Sequence, residues 1–182
     1  MPNRGHIIII NDNPVDADVL QELLETDGYR VDKKANGKNA LTNISEAKPN
    51  LILLGDSLPD INPFCLLAKL KQGKQTKYIP VIFLTTLNDT DTRIIGVELG
   101  DDLITKPFEA REVRARVERQ VTVSKVRMAL RESETKFRSV MESAIDAIIS
   151  ADVSGIIRSW NNAATALFGF TEDEAIGQPL EL

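Results

Sequence analysis

The feature that most constrains this chain is a set of short runs with no polar residue inside them. Ile7-Ile8-Ile9-Ile10, Leu51-Ile52-Leu53-Leu54 and Val81-Ile82-Phe83-Leu84 are apolar throughout. A strand with one face in water alternates apolar and polar residues, so a strand apolar at every position must be covered on both faces. Between the runs the apolar spacing becomes helical. Val15, Val19, Leu20, Leu23 and Leu24 form one stripe, with Asp12 and Asn13 as caps, Pro14 in the first turn and Gly28 as the stop. Ala40, Leu41, Ile44 and Ala47 form a second stripe between Asn36-Gly37 and Pro49, and Phe64, Leu66, Leu67 and Leu70 a third. Ile94, Ile95, Val97 and Leu99 form another, ended by Gly100. Weaker strands fit residues 29–32 and 103–105. Five strands alternating with helices predict an α/β fold, a doubly wound parallel sheet. Its ligand crevice would lie at the carboxyl ends of the strands, at Asn11, Asp12, Gly55, Asp56, Thr85, Thr86 and Lys106.

Charge is uneven along the 182 residues. Residues 1–107 carry a net charge of -3, residues 108–141 +4 and residues 142–182 -6. In the basic stretch Arg and Lys alternate with Glu and apolar positions, which suits a solvated helix face rather than a nucleic-acid surface. No apolar run is long enough to cross a bilayer, and the N-terminus lacks the apolar core of a secretory leader, so a cytoplasmic protein is expected. Cys65 and His6 are each the sole residue of their kind, which leaves no disulfide and no zinc cluster. His6 reads as a strand-edge histidine.

No Gly or Pro interrupts residues 109–149. Val113, Val117 and Val121 lie four apart, as on one helix face, and Val123, Val126, Leu130, Phe137 and Val140 then follow coiled-coil spacing, with Ser133 breaking the register. A long helix with a dimer seam is expected. Beyond it, two apolar segments flank Val153-Ser154-Gly155, a hairpin signal. Two short helices follow, the second starting at Thr171 with Glu174 in capping-box spacing.

The first 107 residues resemble the receiver domain of bacterial response regulators. The resemblance rests on the segments around Asn11-Asp12-Asn13-Pro14, Leu51-Ile52-Leu53-Leu54-Gly55-Asp56 with Pro59-Asp60, Pro80 to Thr85, and Ile104-Thr105-Lys106-Pro107-Phe108, in order and spacing. It implies a flavodoxin-like five-stranded fold. It also implies an acidic pair holding Mg²⁺, an Asp that takes a phosphoryl group from a histidine kinase, and a Thr and a Lys contacting the phosphoryl oxygens. The acceptor position, four residues before Pro59, is Gly55 here, and glycine has no nucleophile. The acidic pair is Asn11-Asp12, which leaves Asp12 as a weak metal ligand. Thr85 and Lys106 stand where the family uses them. With no phosphate, Lys106 is expected to pair with Asp12 or to face solvent. Asp56 is a possible substitute acceptor, although strand alternation points it away from Gly55, so a loop carboxylate is expected there. Leu103 occupies a position often aromatic in the family.

Residues 134–182 resemble the first half of a PAS sensor domain, through Ala147 to Asp152, Gly155 to Asn162 and Leu167 to Gly177. Half a PAS domain would leave Ile149, Ile157, Trp160, Leu167 and Phe170 without half of their core. Atypical packing, poor order or a swap with a partner chain is then expected, and no PAS ligand is implied. The organisation expected is a receiver-like domain over residues 1–122, a signalling helix over 108–146 and a partial PAS domain over 147–182. The function expected is a non-enzymatic two-component regulatory protein. It would be a degenerate receiver that works through protein contacts with a histidine kinase or output module and through a homodimer, without cofactor, nucleic acid or membrane. The alternatives are a receiver phosphorylated on Asp56, or the N-terminal part of a hybrid histidine kinase or diguanylate cyclase.

Overall fold

The computed structural model describes residues 4–86 and 100–180. The helix expected across residues 94–99 lies outside them. The chain forms two compact units, residues 1–127 and 128–182.

In the first unit, β1 (His6–Ile10), β2 (Arg30–Lys34), β3 (Leu51–Gly55), β4 (Val81–Thr85) and β5 (Asp102–Thr105) form one sheet in the order β2-β1-β3-β4-β5. All pairings are parallel, as runs apolar on both faces require. Ile7, Ile9, Leu51, Leu53, Ile82 and Leu84 pack on one side, against Leu20 and Leu24 of α1 (Pro14–Thr26) and Val113, Val117 and Val121 of the long helix α4 (Ala110–Ser143). Ile8, Ile10, Ile52, Leu54 and Phe83 pack on the other side, against Ile44 of α2 (Gly37–Ala47) and Leu66, Leu67 and Leu70 of α3 (Pro63–Gln72). Helix α4 is one element of 34 residues. It is tied to the start of β5 by Arg116 and Arg119, which both meet the buried Asp102 carboxylate.

The helix starts are written locally, with one exception. Asn13 Oδ1 accepts from the Val15 amide at 3.0 Å, and Pro14 follows at the first helical position. Asn62 and Pro63 repeat the device at α3, where Asn62 Oδ1 accepts from Phe64 N at 2.9 Å. At α2 the capping residue Asn36 makes no such bond. The cap comes instead from Asp60 in the β3–α3 loop, whose two oxygens accept from Gly37 N and Lys38 N at 2.8 Å each. Glycine is needed at 37, because a Cβ there would stand 2.4 Å from Ile61 Cγ2.

In the second unit, β6 (Ile149–Ala151) and β7 (Ile157–Trp160) form the expected antiparallel hairpin. The Asp152 carboxylate closes the turn by accepting from Ser154 N at 2.8 Å and Ile156 N at 3.1 Å. Helices α5 (Asn162–Phe168) and α6 (Glu172–Ala175) follow, and Glu174 accepts from the Thr171 amide at 2.9 Å as the capping spacing predicts. The expectation of a half-lost core needs correction at Ile157 and Trp160. Both are buried, with Ala164 and Ala175, while Leu167 and Phe170 are exposed. Buried Asn161 ties this core to the end of α4, because its Nδ2 donates to Met141 O and Asp146 O at 3.0 Å each.

The two amide bonds, from Lys38 and then Gly37, hold the Asp60 carboxyl below its ordinary pKa. A depressed folded-state pKa contributes stability above the ordinary carboxylate range and loses it as the pH falls through the lower value. Asp60→Asn should therefore unfold at less urea than wild type at neutral pH. The two midpoints should converge as the pH drops below that of the folded Asp60.

Candidate functional site

The strand alternation that sorts the core continues into the crevice. Past Ile7 and Ile9, and past Leu51 and Leu53, it places Asn11 and Gly55 on the α1 and α4 side of the sheet. Asn11 is 3% exposed. Its backbone N–H donates to Lys34 O at 3.0 Å, and its Oδ1 accepts from Asn13 N at 3.2 Å. The carboxamide lies over Gly55, where a Cβ would stand 2.9 Å from Asn11 Oδ1 and 3.2 Å from Asn11 Cγ. A side chain at 55 would therefore need the Asn11 carboxamide to shift. The Asn11 amide nitrogen is buried without a hydrogen-bond partner among the described residues.

Lys106 follows β5. Its N–H donates to Thr85 O at 2.7 Å, and the Thr85 side chain is buried beside it at the end of β4. The Lys106 ammonium lies 2.7 Å from Asp16 Oδ2 and 3.8 Å from Asp56 Oδ1. This corrects the expected pairing with Asp12, whose side chain is exposed. Asp12 precedes the helix on its outer side, whereas Asp16, in the first turn of α1, faces the crevice.

Asp56 is the loop carboxylate expected, and its direction is set by Thr86. Its Oδ2 accepts from the Thr86 N–H at 2.9 Å and from the Thr86 hydroxyl at 3.2 Å. Strand β3 ends at Gly55. Strict alternation therefore no longer governs the next residue, and the hydrogen bonds from Thr86 turn the carboxylate toward the ends of β4 and β5. Leu103 is half-buried. Of the seam residues, Val123 is half-buried, while Val126, Leu130, Phe137 and Val140 are between 59% and 67% exposed.

Comparison with known proteins agrees with this architecture. Residues 7–118 match the model of the response regulator receiver domain, and residues 135–182 match that of the PAS fold. The chain belongs to the response regulator receiver family. It is 36% identical over 112 residues to the DNA-binding dual master transcriptional regulator RpaA of Synechocystis, a match covering 61% of this chain and 46% of that one. It is 37% identical over 112 residues to the alkaline phosphatase synthesis transcriptional regulatory protein PhoP of Bacillus subtilis, with the same coverage. The chain spans about half the length of the curated relatives it matches. Among solved structures it resembles the receiver domain of a signal transduction histidine kinase from Syntrophus aciditrophicus. That likeness has 34% identity and a TM-score of 0.61, and covers 65% of this chain and 90% of that one. A sensor histidine kinase receiver from Pseudomonas aeruginosa, with magnesium in its active-site cleft, gives 25% identity, a TM-score of 0.61 and coverage of 65% and 98%. A receiver of two-component signalling is thus joined to a PAS-fold segment, and among the described residues no helix is long and apolar enough to cross a membrane.

Sequence reasoning missed two residues of the receiver crevice, Asp16 and Thr86, as partners. An acid in the first turn of the helix after β1 was a usable signal for Asp16, since that turn opens at the carboxyl end of the sheet. Asp16→Ala should leave the Lys106 ammonium with the longer Asp56 contact and the Phe108 ring, 6.0 Å away. The loss should be about 1–3 kcal/mol, measured as a lower urea midpoint with unchanged m-value.

Proposed function

We propose that this chain is a two-component signalling module whose receiver acts without phosphorylation at the usual position. It signals by contact with other proteins, a histidine kinase or an output module, and makes no covalent chemistry of its own. The observation that carries this is Gly55 with the Asn11 carboxamide against it, since the acceptor position has no side chain and so no nucleophile. The charges around it support the same reading. Lys106 is already balanced by Asp16 and Asp56. The residues also fit Mg²⁺ poorly, because that ion favours carboxylates in a near-octahedral set. Here one acid is replaced by Asn11, whose oxygen is already accepting a hydrogen bond, and the acceptor carboxylate is gone.

Three arginines of α4 are paired within the first unit. Arg114 meets Asp27, Arg116 meets Glu112 and Asp102, and Arg119 meets Asp102. These pairs favour a protein partner over nucleic acid for this segment. The exposed apolar positions Val126, Leu130, Phe137 and Val140 fit a seam between two copies of the chain.

Incubation with acetyl phosphate and Mg²⁺ should leave the intact mass of the full chain unchanged. The double variant Gly55→Asp, Asn11→Asp should gain one phosphoryl group. A wild-type adduct that disappears in Asp56→Asn would establish the alternative acceptor and overturn this reading. Sedimentation should show a monomer–dimer equilibrium, with the dissociation constant of Leu130→Asp raised roughly 100-fold by a charge buried in the seam.

A further inference from the structure

The mechanism above leaves unexplained why the crevice of a receiver without an acceptor keeps Lys106, and why Asp56 turns inward. We propose that Asp56 is a built-in anion that stands in for a phosphoryl group and sets the ends of β4 and β5 in one arrangement. This rests on the reading that the usual acceptor is lost, and adds what replaces it.

The support is geometric. One oxygen of Asp56 takes two hydrogen bonds from Thr86, the first residue past β4, at 2.9 Å from the amide and 3.2 Å from the hydroxyl. The other oxygen faces the ammonium of Lys106, the first residue past β5, at 3.8 Å. A single carboxylate at the end of β3 thus bridges two neighbouring strand ends. Hydrogen bonds to an ionised acceptor are stronger than neutral ones, and the Asp56 and Lys106 side chains are only 22% and 17% exposed, although Thr86 itself is exposed. Asp16 shares Lys106 at 2.7 Å and fixes the ammonium from the α1 side. Asp56 is therefore a positioning residue, acting on output through Thr86 and Lys106, and the arrangement needs no kinase to form.

The test is amide hydrogen exchange on the full chain, comparing wild type, Asp56→Asn and Asp56→Ala. Protection at Thr86 is read relative to the core amides of Ile9 and Leu53, which separates a local effect from global loss of stability. Asparagine keeps an acceptor without the charge, so protection at Thr86 should fall in the order Asp, Asn, Ala, by about ten-fold for alanine. Ile9 and Leu53 should shift only together and less. Equal relative protection at Thr86 in all three proteins would overturn the proposal. Intact mass after acetyl phosphate is measured on the same samples. An unmodified wild type with an insensitive Thr86 sinks the Asp56 device alone. A modified wild type sinks the phosphorylation-independent reading on which it rests, and the device with it.

Discussion

A parallel sheet buried on both faces leaves its polar chemistry one place to go. Along β1, β3 and β4 the side chains of residues 7–10, 51–54 and 81–84 are all committed to one apolar layer or the other, so polar groups gather where the strands stop. At the carboxyl end that edge holds Asn11, Gly55, Asp56, Thr85, Thr86 and Lys106. Asp16 reaches it from α1. A lysine drawn into such a place must find a carboxylate close by, because an unpaired charge out of water is costly. In receivers that take a phosphoryl group, the modification supplies changing negative charge. Here two carboxylates of the chain, Asp16 and Asp56, lie 2.7 Å and 3.8 Å from the Lys106 ammonium.

The same economy of position explains the loop that follows β3. Asp56 leaves the strand and turns to β4, while Asp60, four residues on, turns the other way and caps α2. The short segment from Gly55 to Asn62 therefore joins strand ends on one side and a helix start on the other, and Asn62 then caps α3. With glycine at 55, the structural attachments of the loop run through Asp56, Asp60 and Asn62.

The second unit buries few of its apolar residues and relies on polar closure. Trp160 Nε1 lies 3.1 Å from both Thr165 Oγ1 and Phe170 O, and Asn161 bonds backbone groups on both sides of the hairpin. These bonds let a small core of Ile157, Trp160, Ala164 and Ala175 close, although Leu167 and Phe170 stay in water. Counting apolar residues alone underestimates such a core, since it omits the buried backbone groups that an asparagine and an indole satisfy.

Element identity and order were legible in the residues themselves, because they depend on short-range periodicity. The unbroken run at residues 7–10, the Asn13-Pro14 start and the turn at residues 153–155 all act within a few positions. Glycine at 55 was legible for the same reason, since a missing side chain needs no structure to be noticed. The partners of Lys106, the direction of Asp56 and the cap that Asp60 gives α2 were not. Each joins residues between 22 and 90 positions apart, through side chains whose direction is set where strands end and alternation lapses. Distance along the chain carries no record of such meetings. They arise when the sheet brings its strand ends together and the charges there settle with whichever counterpart folding has placed within reach.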